Sequence, residues 1–182
     1  PRSTLFPYTT LFRSALVMYG LLARALGPND FGSFAYWYAI GLILSALSDY
    51  GFGQQLLATM AKKESNEVKA EVCYLIQMKL FLIIVIFTLS MAFVCISADV
   101  MNKNSWILLV LLGSALGSLF DFFGWVLKSR GFYLKDSENT ILQSLVGNSV
   151  VGIVGYISHD LFLVCGVLVV IRGGILILQY RT

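Results

Sequence analysis

The amino-acid sequence predicts an all-α membrane protein, a polytopic bundle of about six transmembrane helices. Of its 182 residues, 58% are hydrophobic and 13% are charged, whereas soluble domains average about 45–50% apolar and about 25% charged residues. The apolar residues fall in stretches close to the roughly 20 residues that span a bilayer. Basic residues collect in alternate connections between these stretches. Composition, segment length and charge placement therefore agree on one fold class.

Composition also limits the partners of the chain. The net charge of +3 is small, and no basic cluster interleaved with aromatic residues indicates nucleic-acid binding. The cysteines, Cys73, Cys95 and Cys165, are scattered, and together with His159 they give no metal-ligand spacing. We therefore predict packing thiols, no metal site, no cofactor and no nucleic-acid partner.

The first fourteen residues differ from the rest of the chain. The string from Thr4 to Ser14, TLFPYTTLFRS, matches the translation of a sequencing adapter, and we extend this interpretation to residues 1–3. We exclude residues 1–14 from fold reasoning, as one excludes an expression scar. We then expect residues 15–182 to form one membrane domain of a longer protein, with a first helix truncated before Ala15.

Six apolar stretches give the predicted helices. The first ends at Gly27 and Pro28, because glycine and proline stop a helix, and residues 29–32 are expected to turn the chain. Residues 54–71 mix leucines with Lys and Glu, which predicts a helical extension near the headgroups. The predicted spans are residues 15–26, 33–50, 75–96, 106–127, 141–157 and 161–180, the fifth being short and interrupted by glycine.

The sixth stretch carries Arg172 about midway, and a comparison of magnitudes decides whether it still inserts. Arginine at a helix centre costs about 2.5–3.5 kcal/mol on the insertion scale. The thirteen Leu, Ile, Val and Phe residues within 161–178 contribute at most roughly −4 to −8 kcal/mol, at about −0.3 to −0.6 each. This stretch is therefore expected to span the membrane despite its charge.

Charges between the helices orient the bundle. The loops after the second and fourth predicted helices are basic, with Lys62, Lys63 and Lys69 in one and Lys128, Arg130 and Lys135 in the other. The alternate connections hold only Arg24 beside the first and Lys103 in the second. Because cytoplasmic loops carry the excess of Lys and Arg, we predict that the loops after helices two and four face the cytoplasm.

Ionisable residues inside membrane helices are functional candidates by default. Arg24 fits either snorkelling to the outer headgroups or a cation in a central cavity. Asp49 fits an interfacial carboxylate, a helix cap or a cavity residue. Lys79 is assigned to snorkelling, Asp121 is equally compatible with structure and function, and Arg172, beside two glycines, favours a cavity. The cavity candidates are Arg24, Arg172, Asp49 and Asp121.

No enzyme motif accompanies these candidates. The chain has no HExxH, P-loop or Ser-His-Asp set, and His159 with Asp160 predicts an ordinary polar turn. Glycines and serines along the fourth helix, including Gly117 and Ser118, are typical of helix contacts. We therefore predict no catalytic residue and no enzymatic activity.

Three segments carry a resemblance to a known family: LLARALGPNDFGSFAYW, SDYGFGQQLLATMAKK and FGWVLKSRGFYLKDSEN. The chain resembles polysaccharide-export flippases, the O-antigen and exopolysaccharide translocases of the multidrug/oligosaccharidyl-lipid/polysaccharide exporter superfamily. Arg24 and Asp49 belong to the matching patterns. The residues of the family turn motif are Gly27, Pro28, Phe31, Gly32, Gly51 and Gly53.

The resemblance implies one lobe of a two-lobe transporter in the cytoplasmic (inner) membrane of a bacterium. Its substrate would be a lipid-linked oligosaccharide, flipped by alternating access through a cationic cavity during lipopolysaccharide or exopolysaccharide biosynthesis. Membrane lipid and a coupling ion would be further partners. Three alternatives stay open: a drug/cation antiporter of the same superfamily, a membrane glycosyltransferase or polymerase, and a structural membrane subunit.

Overall fold

The computed structural model describes residues 6–60, 65–96 and 105–181, and the regular structure in these ranges is helical. The all-α prediction is thereby confirmed. Within the same ranges, five helical runs are long and apolar enough to cross a membrane. The elements are α1 (Phe6–Asp49), α2 (Phe52–Met60), α3 (Ser65–Ile96), α4 (Trp106–Ser129), α5 (Tyr133–Leu142), a π-turn (Gln143–Gly147), α6 (Asn148–Ser158) and α7 (Leu161–Arg181).

The longest run, α1, consists of two membrane-length helices joined at Gly27. This glycine has φ 77° and ψ 170°, a combination that essentially only glycine adopts. The Tyr19 ring centroid lies 6.2 Å from that of Phe31 and 6.4 Å from that of Tyr38. Because a straight helix would separate Tyr19 from Tyr38 by about 28 Å, residues 6–26 and 28–49 must lie side by side. The five runs therefore make six passes, as expected.

The turn within α1 is tighter than we predicted. Residues 29–32 were expected to form it, but they are helical, and Gly27 alone interrupts the helix. Pro28 opens the second half, where the missing N–H of proline removes no helical hydrogen bond. The first half begins at Phe6 rather than near Ala15, inside the segment that we set aside. The adapter origin of residues 4–14 stays a prediction.

The fifth pass is also longer than predicted. It runs for 26 residues from Tyr133 to Ser158, because the polar segment before Ile141 is helical too. His159 then adopts φ 51°, and its Nδ1 donates a hydrogen bond of 2.7 Å to the carbonyl oxygen of Ala25. This bond places the α6–α7 turn beside the Gly27 turn, at one end of the bundle.

At the opposite end, α2 and the first half of α3 pack against the end of α4. They form an apolar cluster of Phe52, Leu56, Val72, Leu75, Phe122 and Val126. The predicted helical extension over 54–71 is confirmed in α2 and in the start of α3, which begins at Ser65 instead of residue 75. Lys62, Lys63 and Lys103 lie outside the described residues, as does the side chain of Lys69.

Small residues of α4 let two neighbouring helices approach its backbone. A Cβ atom added to Gly41 of α1 would lie 2.7 Å from Ser114 Oγ, and one added to Gly117 would lie 2.9 Å from Arg172 Nη1 of α7. A Cβ at Gly113 would collide with Leu168, also on α7. The prediction that these small residues serve helix contacts is therefore confirmed.

Candidate functional site: a polar cavity in the bundle

A half-open cavity of about 270 Å³ lies where both halves of α1, α4, α7 and the π-turn meet. Its volume is close to the lower end of the range for ligand pockets, about 300–1,000 Å³. Its polar lining is unusual for a membrane-spanning region, where each polar side chain is expensive. The polar lining residues are Tyr19, Tyr38, Asp121, Thr140, Gln143, Ser144, Asn148 and Arg172.

Arg172 is fixed in this cavity by two helices. Its Nη1 donates to the Gly113 carbonyl oxygen at 2.7 Å, and its Nη2 donates to the Tyr38 hydroxyl at 2.8 Å. The guanidinium carbon also lies 5.6 Å from the centre of the Tyr38 ring, within the range of a cation–π contact. Gly117 leaves room for the guanidinium. A charge at mid-helix is thus held by specific contacts rather than drawn to a membrane surface.

Asp121 faces the same cavity from α4. It follows Gly117 by four residues, which places both on one face of that helix, and it lines the cavity together with Arg172. Among the described residues, Asp121 makes no hydrogen bond or ion pair within normal contact distance. The structure therefore brings two of our four candidates into one chamber and leaves the carboxylate available to a ligand.

The π-turn shapes a third wall. Gln143, Ser144 and Gly147, with Asn148 directly after it, all line the cavity. Single π-turns inside α-helices widen one turn and are frequent at functional sites. Asn148 Nδ2 donates to Ser14 Oγ at 3.2 Å, while the buried Gln143 Oε1 has no hydrogen-bond partner in the described part of the chain. The wall therefore offers a free acceptor beside the two charges.

Asp49 lies elsewhere, in a cluster that joins α1, α3 and α4. It forms an ion pair with Lys79, whose side chain is fully buried. Lys79 Nζ also donates to Ser48 Oγ at 3.3 Å, and Ser118 Oγ donates to Asp49 Oδ1 at 3.3 Å. The assignment of Lys79 to snorkelling was wrong. Both charges lie near the same predicted end of consecutive helices, a signal compatible with pairing, but the sequence does not show that the two side chains point towards each other.

Arg24 stands apart from both clusters. Its side chain is exposed on the first half of α1, close to the Gly27 turn, and it is not among the residues that line the cavity. Its role as a cavity cation stays a prediction. Conversely, we did not predict that Tyr19, Tyr38, Thr140 and Ser144 line the cavity, because nothing in a sequence shows which face of each helix meets it.

The motif glycines have separate local roles. Gly51 adopts φ 79° in the break between α1 and α2, and a Cβ at Gly53 would lie 2.7 Å from the Trp125 ring. Phe31 packs against Tyr19, and Gly32 is helical with open space around it. Within the described ranges, no group of three His, Cys, Asp or Glu residues could hold a metal ion.

The fold defines a multi-pass α-helical membrane protein with a polar cavity between its helices. The chain belongs to the polysaccharide biosynthesis protein family, whose sequence profile matches residues 9–180. No curated protein and no solved structure matches the chain. The family agrees with the resemblance found in the sequence and assigns the protein to polysaccharide biosynthesis.

Proposed function

We propose that this protein translocates a lipid-linked oligosaccharide across the cytoplasmic membrane of a bacterium by alternating access. The six passes would form one lobe of a two-lobe transporter, with the loops after passes two and four in the cytoplasm. The observation that carries the proposal is Arg172, held near the middle of α7 in a polar cavity of a protein from the polysaccharide biosynthesis family.

The cost of moving a polar, charged substrate through the membrane gives a reason for a polar cavity. An anionic headgroup and a polar glycan must cross about 30 Å of hydrocarbon. A buried guanidinium lowers that cost through charge-assisted hydrogen bonds. Arginine has five N–H donors, and two of those of Arg172 are used within the described structure. The remaining donors, with Asp121 and the free oxygen of Gln143, suit an anion flanked by hydroxyl groups.

The charges of the cavity also bear on the alternative functions, a drug/cation antiporter and a membrane glycosyltransferase. A drug/cation antiporter would favour an acidic cavity, whereas here one arginine balances one aspartate. A glycosyltransferase would instead consume or extend the lipid-linked sugar. These classes differ in what accumulates when the protein fails. A lost translocase leaves the lipid-linked oligosaccharide in the membrane, and a lost glycosyltransferase depletes it.

Arg172→Ala tests the proposal in cells that depend on the full-length protein. We expect surface polysaccharide to fall by roughly tenfold or more, because hydrogen bonds to charged groups contribute about 1.5–3 kcal/mol each. The lipid-linked oligosaccharide should accumulate at the same time. Surface polysaccharide is measured by immunoblot, and the lipid-linked intermediate by extraction and mass spectrometry, at equal protein level.

The matched control is Arg130→Ala, which removes an exposed arginine from the α4–α5 turn and should leave export unchanged. Arg172→Lys should give an intermediate result, since lysine keeps the charge without the planar fork. Arg24→Ala in the same assay tests the role that the family resemblance implies. Normal polysaccharide with Arg172→Ala would contradict the proposal, and depletion of the lipid-linked intermediate would favour the enzyme.

A further inference from the structure

The half-buried Lys79–Asp49 ion pair belongs neither to the cavity nor to an ordinary packing surface. The Lys79 side chain is 1% exposed and that of Asp49 is 46% exposed. Lys79 projects from α3, while Asp49 is the last residue of α1. The pair therefore joins a buried ammonium group on one helix to a partly exposed carboxylate on another.

Stability does not account for Lys79. The buried positions of this half of α3 are Val72, Leu75, Lys79 and Ile83, which follow the spacing of one helix face. Three of the four are apolar, so Lys79 occupies a place where leucine or methionine would pack. Replacing a buried ion pair by apolar residues of similar volume is often neutral or stabilising. The chain thus keeps a charge pair where packing alone needs none.

Two hydroxyl groups make this pair easy to open. Ser48 Oγ accepts from Lys79 and lies 2.9 Å from Ser118 Oγ, which donates to Asp49. Each charge therefore keeps a hydroxyl partner if the other charge leaves. An unpaired buried charge is otherwise very costly. The two serines lower the cost of separation, and the partial exposure of Asp49 lowers it further.

Beyond the pair, α3 and the second half of α1 are not in close contact along their whole length. An apolar groove of about 410 Å³ lies between them, with Trp37 and Leu44 on one wall, Ile86 and Phe93 on the other, and Leu111 in its lining. The two helices are thus joined by charge at one end and leave an apolar groove further along, while Val94, near the other end of α3, is buried in the apolar core. Because apolar contacts are non-directional, α3 can tilt along them once the charged contact opens.

We propose that Lys79 and Asp49 form a reversible tie between α3 and the α1–α4 pair, closed in this conformation and released in the opposite one. Lys79 is a positioning residue, because it acts through Asp49 and Ser118 without lining the cavity. Ser118 directly follows Gly117 on α4, which contacts Arg172. The tie therefore holds the position of α4, the helix that carries one wall of the cavity. The inference rests on the proposed transport function.

The double variant Asp49→Leu/Lys79→Met separates a reversible tie from a structural one. We expect normal membrane level and an unchanged or higher melting temperature in detergent, with loss of most polysaccharide export. The apolar contact in this variant holds α1 and α3 together. Its side chains form no hydrogen bonds to water or to the serine hydroxyls, so the contact has no alternative partners when the helices separate. The matched control is Gln77→Met, an exposed position on the same turn of α3, which should export normally. Normal export by the double variant would overturn the proposal.

Two further measurements test whether the tie depends on charge and whether it opens. The reversed pair Asp49→Lys/Lys79→Asp should recover export relative to Asp49→Lys alone. Spin labels on the exposed residues Ile43 and Ile84, in a cysteine-replaced background in liposomes, should show two α1–α3 distance populations in the native pair and one in the apolar pair. A single population in the native protein would count against release of the tie.

The outcomes also distinguish the two proposals. If the native protein fails to restore export in the deletion strain, the proposed function fails. If it restores export and the apolar double variant does so equally well, only the tie fails.

Discussion

At the scale of single residues, α4 shows how small side chains place large charged ones. Gly113 and Gly117 face α7, and there the Gly113 carbonyl accepts a hydrogen bond from Arg172 while Gly117 leaves space for the guanidinium. Ser118, one residue further, faces the Asp49 cluster instead. Because neighbouring residues on a helix point about 100° apart, two turns of α4 serve two polar clusters on different sides.

Gly117→Ala tests whether this space matters for function more than for stability. The new Cβ would lie 2.9 Å from Arg172 Nη1, the end of a flexible side chain that can move. Alanine also favours a helix by about 1 kcal/mol over glycine. We expect the free energy of unfolding to change by less than about 1 kcal/mol while export falls. Detergent melting curves and surface polysaccharide measure the two effects.

Gly174→Ala on α7 is the control for this prediction. It makes the same chemical change, but a Cβ there would meet no heavy atom within 4 Å. It should leave export intact. Equal export by Gly117→Ala and Gly174→Ala would show that the close approach to Arg172 is unimportant.

At the scale of elements, the fold of α1 depends on one glycine. Gly27 reverses the chain between two halves of about 32 Å each, and its φ of 77° with ψ of 170° excludes ordinary side chains. The aromatic contacts of Tyr19 and the hydrogen bond from His159 to Ala25 then hold the two halves and the α6–α7 turn together. The hairpin in turn presents Tyr38 to Arg172.

Gly27→Ala should destabilise the protein by about 1–3 kcal/mol, the cost of holding a non-glycine residue in this backbone region. Gly32→Ala, five residues later, should be neutral or slightly stabilising, because Gly32 is helical and a Cβ there would meet no heavy atom of another element within 4 Å. Melting temperatures of the two variants in the same detergent provide the measurement. A Gly27→Ala protein as stable as Gly32→Ala would contradict the assigned turn geometry.

At the scale of the whole molecule, the passes have two distinct ends. The Gly27 and His159 turns lie together at one end. Phe52, Val72 and Val126 pack at the other, where Lys128 forms an ion pair with Asp136 at 3.3 Å. Basic residues favour the second end, so the positive-inside rule predicts that it faces the cytoplasm.

Cysteine labelling tests this orientation in a cysteine-replaced background. A membrane-impermeant maleimide added to intact spheroplasts should label Asn29→Cys, beside the Gly27 turn, and should leave Ser137→Cys unlabelled until the membrane is permeabilised. Both positions are exposed, so accessibility of the side chain itself is matched. The reverse labelling pattern would invert the proposed topology.

Much of the fold could be predicted because a transmembrane helix is a contiguous stretch whose length and apolar composition can be read directly along the chain. Apolar stretches and alternating loop charges predicted six passes, Arg172 was placed near the middle of the last stretch, and the segments around Gly27 and Gly51 indicated the family. Boundaries were less accurate. Residues 28–32, which begin with proline, and the polar residues 133–140 are helical, and this was not predicted. Their local polarity argues against a helix, but tertiary contacts can override local propensity.

The sequence by itself determined which charges lie within membrane-length apolar stretches and how far along each stretch they lie. Only the tertiary structure decided which of them meet: Arg172 with Tyr38 and the cavity of Asp121, and Lys79 with Asp49. The reason is that depth follows from helix rise, whereas the direction of a side chain around its helix depends on which neighbours pack there. On α4 that choice was made by glycines and serines that permit close approach.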